Sequence, residues 1–197
     1  EVMDHLALQR QVLLRQPPLL VACGLTPWKR KLARRFLRTP QGSQLWFRPR
    51  WWKRWPASAK AVVWGRPRRP FPVPCWSLED GFVRSVGLVA ALVPPVSWVV
   101  DQRGLYYDAT QPSDLEVFLA SHAFTDQERQ RGRQLRLQLL AAGLSKYNLA
   151  APVWHRPEAA RGRPVRLVVG QVPRDASLRF GLPEDASARS NAQLLAA

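Results

Sequence analysis

Two short apolar runs, each closed by glycine, constrain this chain more than any other feature. Leu19-Leu20-Val21-Ala22-Cys23 stops at Gly24, and Ala61-Val62-Val63-Trp64 stops at Gly65. Uninterrupted apolar runs of this length read as strands buried on both faces, which is the condition of a parallel sheet. Between them, Pro27 to Leu37 carries Trp28, Leu32, Phe36 and Leu37 on one helical face and Lys and Arg on the other, with proline at the first helical position. Strand, helix, strand is the unit of a parallel α/β layer, so an α/β fold is expected.

The later chain alternates similarly. Cys75-Trp76-Ser77-Leu78 reads as a strand reached through Arg66 to Pro74, a stretch with four prolines in nine residues that cannot be helix or central strand. Ser97 to Asp101 and Gly104 to Asp108 read as two strands of a hairpin around Gln102-Arg103-Gly104. Ser113-x-x-Glu116 and Thr125-x-x-Glu128 are capping boxes. They predict one helix towards His122 and a longer one to about Ala142, stopped by Gly143, with Leu135, Leu139 and Leu140 facing the core. Residues 152–164 read as an interdomain linker between an N-terminal domain (1–151) and the start of a second (165–197). Val165 to Gly170 is expected to be that second domain's first strand, and Asn191 to Ala197 a helix.

Charge is distributed unevenly. From His5 to Leu78 there are sixteen Lys and Arg and no acid, so this third carries nearly all of the net +16. Such a field attracts polyanions: nucleic acid, anionic lipid headgroups, acidic glycans or nucleotide phosphates. Within it, Trp46 to Pro56 interleaves tryptophan with arginine. That composition fits a surface loop whose Trp rings are covered by Arg stems, a bilayer-interface segment, or a base-stacking strip. No helix-turn-helix, RNP or zinc pattern accompanies it, so nucleic acid is not the expected partner. Cys23 and Cys75 match no metal spacing and read as free thiols. No stretch has the length and apolarity of a membrane span, and Glu1-Val2-Met3-Asp4 does not open a signal peptide, so a cytoplasmic location is expected.

Two segments could carry chemistry. In Glu79-Asp80-Gly81, adjacent carboxylates diverge from an extended backbone, so at most one enters a given cleft. Gly81 would let a ligand approach the backbone, and Arg84 could grip a carboxylate or phosphate. The alternative is a plain turn between strands. Gln171 to Ser177 follows the expected strand of the second domain, where α/β sheets bind ligands. Asp175 and Ser177 could equally do no more than cap a helix.

Read together, these pieces resemble a known family. Trp28-Lys29-Arg30, Trp64-Gly65-Arg66, Glu79 to Leu88, Ser97 to Asp101, Gly104 to Thr110, Ser145-Lys146-Tyr147-Asn148-Leu149 and Gln171-x-x-x-Asp175-x-Ser177 fall in the order found in KpsC-like capsule polysaccharide proteins, over residues 19–197. The resemblance implies a GT-B-like enzyme of two Rossmann-like domains. It would transfer Kdo from CMP-β-Kdo with retention, building the poly-Kdo linker on a lipid-linked or oligo-Kdo acceptor, beside the membrane and the capsule export machinery. It further implies Asp175 as nucleophile and Glu79 as acid/base, with Asp80 the alternative because sialyltransferases with a similar triplet use the second carboxylate. Gly81, Arg84 and Ser85 would shape the cleft, and Gln171 and Ser177 would flank sugar or phosphate. Neither metal nor cofactor is implied beyond the donor. Two departures stand out. The family's His-Pro segment comes further beyond Asp175 than this sequence runs, so an incomplete module is expected. The path from Trp64 to Glu79 is short and proline-rich where the family has another helix. A non-catalytic basic module that binds anionic lipid is the alternative function.

Overall fold

The computed structural model describes residues 19–38, 44–49, 51–88, 91–149, 154–172, 175–182 and 190–196. The readings of residues 1–18, including the expectation about a signal peptide, lie outside the described residues, as do Arg50, Pro152, Pro173 and Arg174.

One five-stranded sheet organises the chain, in the order β2-β1-β3-β4-β5. Its strands are β1 (Leu19–Cys23), β2 (Gln44–Arg48), β3 (Lys60–Trp64), β4 (Cys75–Asp80) and β5 (Trp98–Asp101). The first four run parallel and β5 pairs antiparallel with β4. The expected α/β class is therefore present. β1 is buried along its whole length and β3 at its centre, as their apolar runs require.

Helix α1 (Pro27–Phe36) starts as its sequence implies. Thr26 accepts from the Lys29 amide, proline occupies the first turn, and Arg34 and Arg35 sit at the carboxyl end where cations suit the helix dipole. Its apolar face brings Leu32, Ala33 and Leu37 onto Leu20, Ala22, Val62, Trp76 and Leu78, with Trp28 and Phe36 at the edge. On the second face, Val21, Cys23, Ala59 and Val63 pack with Trp55, Phe71 and Cys75. Burial pushes the Cys75 thiol up to about 12, with the neighbouring Cys23 adding to the rise, which makes it a poor nucleophile.

Four expectations change. Trp46 to Pro56 is not wholly loop, because Trp46 to Arg48 belong to edge strand β2, where register places Trp46 beside Val21. The rest follows the covered-ring reading in part. The Arg48 guanidinium lies 5.0 Å from the Trp46 ring and 4.9 Å from Trp52, while Trp51 stays 71% exposed. The hairpin is absent: β5 turns back on β4, and Gly104 to Asp108 is turn. Asp101 explains why, since its carboxylate accepts from the amides of Arg103, Gly104 and Asp114 and holds the chain in a bend. The two capped helices form as α2 (Asp114–Ser121) and α3 (Asp126–Ala141), both with complete capping boxes, yet neither has a buried residue. Leu135 and Leu140, expected in the core, are 47% and 68% exposed. Finally, Val165 to Gly170 forms no strand; it is exposed along its length. Short helices α4 (Ala176–Phe180) and α5 (Asn191–Ala196) follow.

Candidate functional site

Glu79 and Asp80 end β4, at the carboxyl edge of the parallel sheet, where open α/β folds receive ligands. Their two carboxylates have different environments. Asp80 is 7% exposed and its Oδ2 lies 2.8 Å from Nε of Arg84, which is itself 1% exposed. Nη1 of Arg84 donates to Ser85 Oγ and to the Val93 carbonyl. The Nε contact is one of charge rather than aligned hydrogen bonding. Arg84 was expected to reach for a ligand; instead it turns inward and neutralises Asp80. Ser85 is likewise used within the fold, its hydroxyl donating a hydrogen bond to the Gly87 carbonyl.

Among the described residues Glu79 has no such cation in contact. Its Oε1 accepts from the Asp80 amide at 2.9 Å, curling the carboxylate over the strand end. Burial pushes its proton affinity above the usual carboxylate range, the Asp80 amide and the Lys29 and Lys146 ammoniums pull it back, and the Asp80 charge adds to the rise. A carboxyl whose proton affinity is raised this way is better suited to give and take protons than an exposed one.

Gly81 has a structural reason of its own. Its amide donates to the Ser97 carbonyl, and a Cβ there would collide with Ser97 Oγ. The missing side chain admits Ser97, which in turn donates to the Val83 carbonyl.

The Ser145 to Leu149 segment clamps the next turn. The amides of Arg84 and Ser85 donate to the Lys146 carbonyl, that of Gly87 donates to the Tyr147 carbonyl, and Asn148 Nδ2 donates to the Ser85 carbonyl. Asn148 holds a left-handed φ of 47°, and it exchanges hydrogen bonds with Ser145 in both directions. The clamp delivers Lys146 and Tyr147 to the carboxylates. Lys146 Nζ donates to Tyr106 Oη at 3.2 Å, and Tyr106 Oη donates to the Asp80 carbonyl at 3.1 Å.

Asp175 caps α4: its Oδ1 accepts from both the amide and the hydroxyl of Ser177. The cap reading is thus correct locally, but the helix is not remote from β4. The Phe180 carbonyl accepts from the Ala109 amide at 2.7 Å, and the Arg66 guanidinium lies 4.4 Å from the Phe180 ring while its Nε pairs with Asp108 at 3.0 Å. Burial pushes the Tyr107 phenol up to about 12, and the charges of Glu79, Asp108 and Asp175 add to that. Tyr147 is raised by burial and feels Asp80, Glu79 and Asp175 in the same direction. The two candidate segments, 79–80 and 175, therefore share one electrostatic neighbourhood through Tyr107 and Tyr147. Gln171 is exposed; its backbone amide and carbonyl are bridged by the Asn191 side-chain amide, a pairing with no sequence signal.

Sequence reasoning did not assign Lys29, Tyr106, Tyr107, Lys146 or Tyr147 to this site. The signal available was their presence inside the ordered motifs. Lys29 belongs to the helix face expected to meet water, yet its Nζ sits 3.2 Å from the Trp64 ring centroid. Burial lowers its proton affinity to about 8, against the opposing pull of Glu79 and Asp80. Among the described residues no cluster of ligands suits a metal ion.

Comparison with known proteins bears on the fold and the family likeness. Residues 69–152 match the family described as "Capsule polysaccharide biosynthesis protein". The chain is 33% identical over 195 residues to the capsule polysaccharide modification protein LipA of Neisseria meningitidis, covering 93% of this chain and 27% of that protein. It is 34% identical over 183 residues to the lipopolysaccharide-processing protein LpsZ of Rhizobium meliloti, covering 84% of this chain and 41% of that one. It therefore spans well under half the length of these relatives. Among solved structures, the β-Kdo 2,7 transferase of Thermosulfurimonas dismutans KpsC superposes with a TM-score of 0.63 at 27% identity, over 90% of this chain and 56% of that one. The β-Kdo 2,4 transferase of the same organism's KpsC gives 0.57 at 28% identity, over 84% and 52%. Taken with the α/β sheet and the carboxylates at its edge, these matches show a chain similar to KpsC-like capsule polysaccharide biosynthesis proteins, with residues 69–152 carrying the family match.

Proposed function

We propose that this chain is part of a retaining β-Kdo glycosyltransferase that moves Kdo from CMP-β-Kdo to a lipid-linked or oligo-Kdo acceptor in capsule synthesis. The observation that carries the reading is that the helix capped by Asp175 docks on the segment that also lines the end of β4: the Phe180 carbonyl accepts from the Ala109 amide, and Tyr106 Oη donates to the Asp80 carbonyl. Retention by double displacement needs two carboxyl groups with different tasks. Both Ser177 bonds converge on Asp175 Oδ1, leaving Oδ2 for attack on the anomeric carbon as the bond to CMP breaks. In the second step an acceptor hydroxyl attacks the same carbon, its proton passes to Glu79, and the bond to Asp175 breaks. Asp80, charge-paired with Arg84, supplies a fixed frame for Glu79 rather than a mobile proton. GT-B architecture, in which a second domain would close over the donor, belongs to the same proposal.

The test is mass spectrometry of the polypeptide, extended to the length of its relatives, after exposure to CMP-Kdo. A Kdo adduct on Asp175 is expected, absent in Asp175→Ala and accumulating in Glu79→Gln. Undiminished transfer by Asp175→Ala would remove the nucleophile assignment.

A second reading rests on Trp51, 71% exposed within the acid-free third of the chain. Such a ring beside Lys53 and Arg54 is suited to an anionic membrane surface, on which capsule acceptors and export machinery would lie. Among the described residues no helix is long and apolar enough to cross a membrane. Co-sedimentation with anionic but not neutral vesicles, reduced in Trp51→Ala, is the expected result.

A further inference from the structure

We propose that Lys29 is a positioning residue for proton transfer at Glu79: its ammonium, seated on an aromatic stack at the start of α1, keeps Glu79 charged and ready to accept a proton. This rests on reading Glu79 as the acid/base group.

The geometry comes from three elements. Trp64 ends β3 and pairs in register with Leu78, the residue before Glu79. Lys29 Nζ lies over the Trp64 ring at 3.2 Å, Trp64 meets Trp98 edge-on at 5.2 Å, and Trp98 stacks on Phe36 at 4.6 Å. Lys29 and Phe36 belong to the same helix, so α1 contributes both ends of the stack and the ammonium has little freedom to move. Among the described residues it closes no salt bridge with either carboxylate, so it acts on Glu79 through space and leaves Glu79 open to a substrate.

Other charges reach Glu79 as well. Asp80 lies beside it on β4, Lys146 comes from the 145–149 clamp, and Tyr106 and Tyr107 come from the segment after β5. Tyr147 shares the site and Arg84 is committed to Asp80. Asp175 reaches the same tyrosines. Lys146 differs from Lys29 in being hydrogen-bonded to Tyr106, and its backbone is part of the clamp. Lys29 is therefore the cation that can be changed without dismantling the site.

The experiment is a carboxyl-carbon NMR titration of Glu79 in the wild type, Lys29→Met and Lys29→Arg. Loss of the charge in Lys29→Met is expected to raise the Glu79 midpoint by on the order of one pH unit, while Lys29→Arg leaves it near the wild-type value. An unchanged midpoint in a folded Lys29→Met protein overturns the proposal. If Lys29→Met does not fold, the reciprocal measurement replaces it: Glu79→Gln must lower the Lys29 midpoint, followed on its methylated amine, and no change there overturns the proposal equally. In the relative-length polypeptide, the acid limb of the pH–rate profile for Kdo transfer should move with the Glu79 midpoint. A midpoint that moves while the limb stays fixed also overturns it. A wild type with the coupled titration but no Kdo transfer instead defeats the transferase reading and leaves the Lys29–Glu79 coupling standing.

Discussion

Two runs of similar length that read as strands, the second interrupted by Arg166, meet opposite fates. Leu19 to Cys23 is buried at every position, between β2 and β3. Val165 to Gly170 is exposed at every position and pairs with nothing among the described residues, with Leu167 at 86%. In isolation the second run has as strong a claim to be a strand as the first. The difference is in what surrounds them: β1 is followed by an amphipathic helix and two neighbouring strands, whereas the described residues after 170 form two short helices and no strand. A strand is a property of its neighbours as much as of its residues.

The largest test of that contrast is to break one partner on each side of it. Arg84→Met leaves Asp80 as an unpaired buried charge and should cost about 3–5 kcal/mol in urea unfolding. Leu167→Ser should change stability by less than about 0.5 kcal/mol, since it removes nothing from a core. Equal losses would mean that 165–170 is packed in solution. Next in size, Gly81→Ala forces Ser97 aside and should cost about 1–3 kcal/mol, part of which Ser97→Gly restores. Equal stability of Gly81→Ala and wild type would place the close approach elsewhere.

The smallest effect concerns the edge of the sheet rather than its frame. Burial raises the Glu79 proton affinity in the folded state, so folding favours its neutral form. Its stabilising contribution is complete below the unfolded value and is lost as pH rises through the folded one. Glu79→Gln should therefore raise the melting temperature at neutral pH and lose that advantage as pH falls below the ordinary glutamate range. A gain that is the same at both pH values would point to packing rather than charge.

Much of the frame was legible because local signals agreed with the global fold. Pro27, Ser113 and Thr125 each predict a helix start, and the helices do begin there, with Thr26, Ser113 and Thr125 each accepting a first-turn amide. The hairpin failed because Asp101 offered three amides a carboxylate, and that bend competes with strand pairing. Leu135 and Leu140 failed for the same reason as 165–170, since amphipathic spacing says which face wants cover but not whether cover exists. At the site, Glu79, Asp80 and Asp175 could be named from motif order. Lys29 could not, because its helical phase pointed to solvent and only the Trp64 ring across the sheet revealed where the ammonium goes. Arg84 was misread because a cation next to an acidic pair looks equally suited to a ligand and to its own neighbour four residues back.

The 145–149 clamp has a consequence for how such a site could change. Three of its four bonds to the 84–87 turn run between backbone groups, and only Asn148 contributes a side chain. Attachment is thus independent of which side chains occupy 146 and 147. Lys146 is further tied to Tyr106, but position 147 is a socket on a fixed mount, and an engineer could swap the group presented there to retune what the edge recognises without redesigning the sheet beneath it.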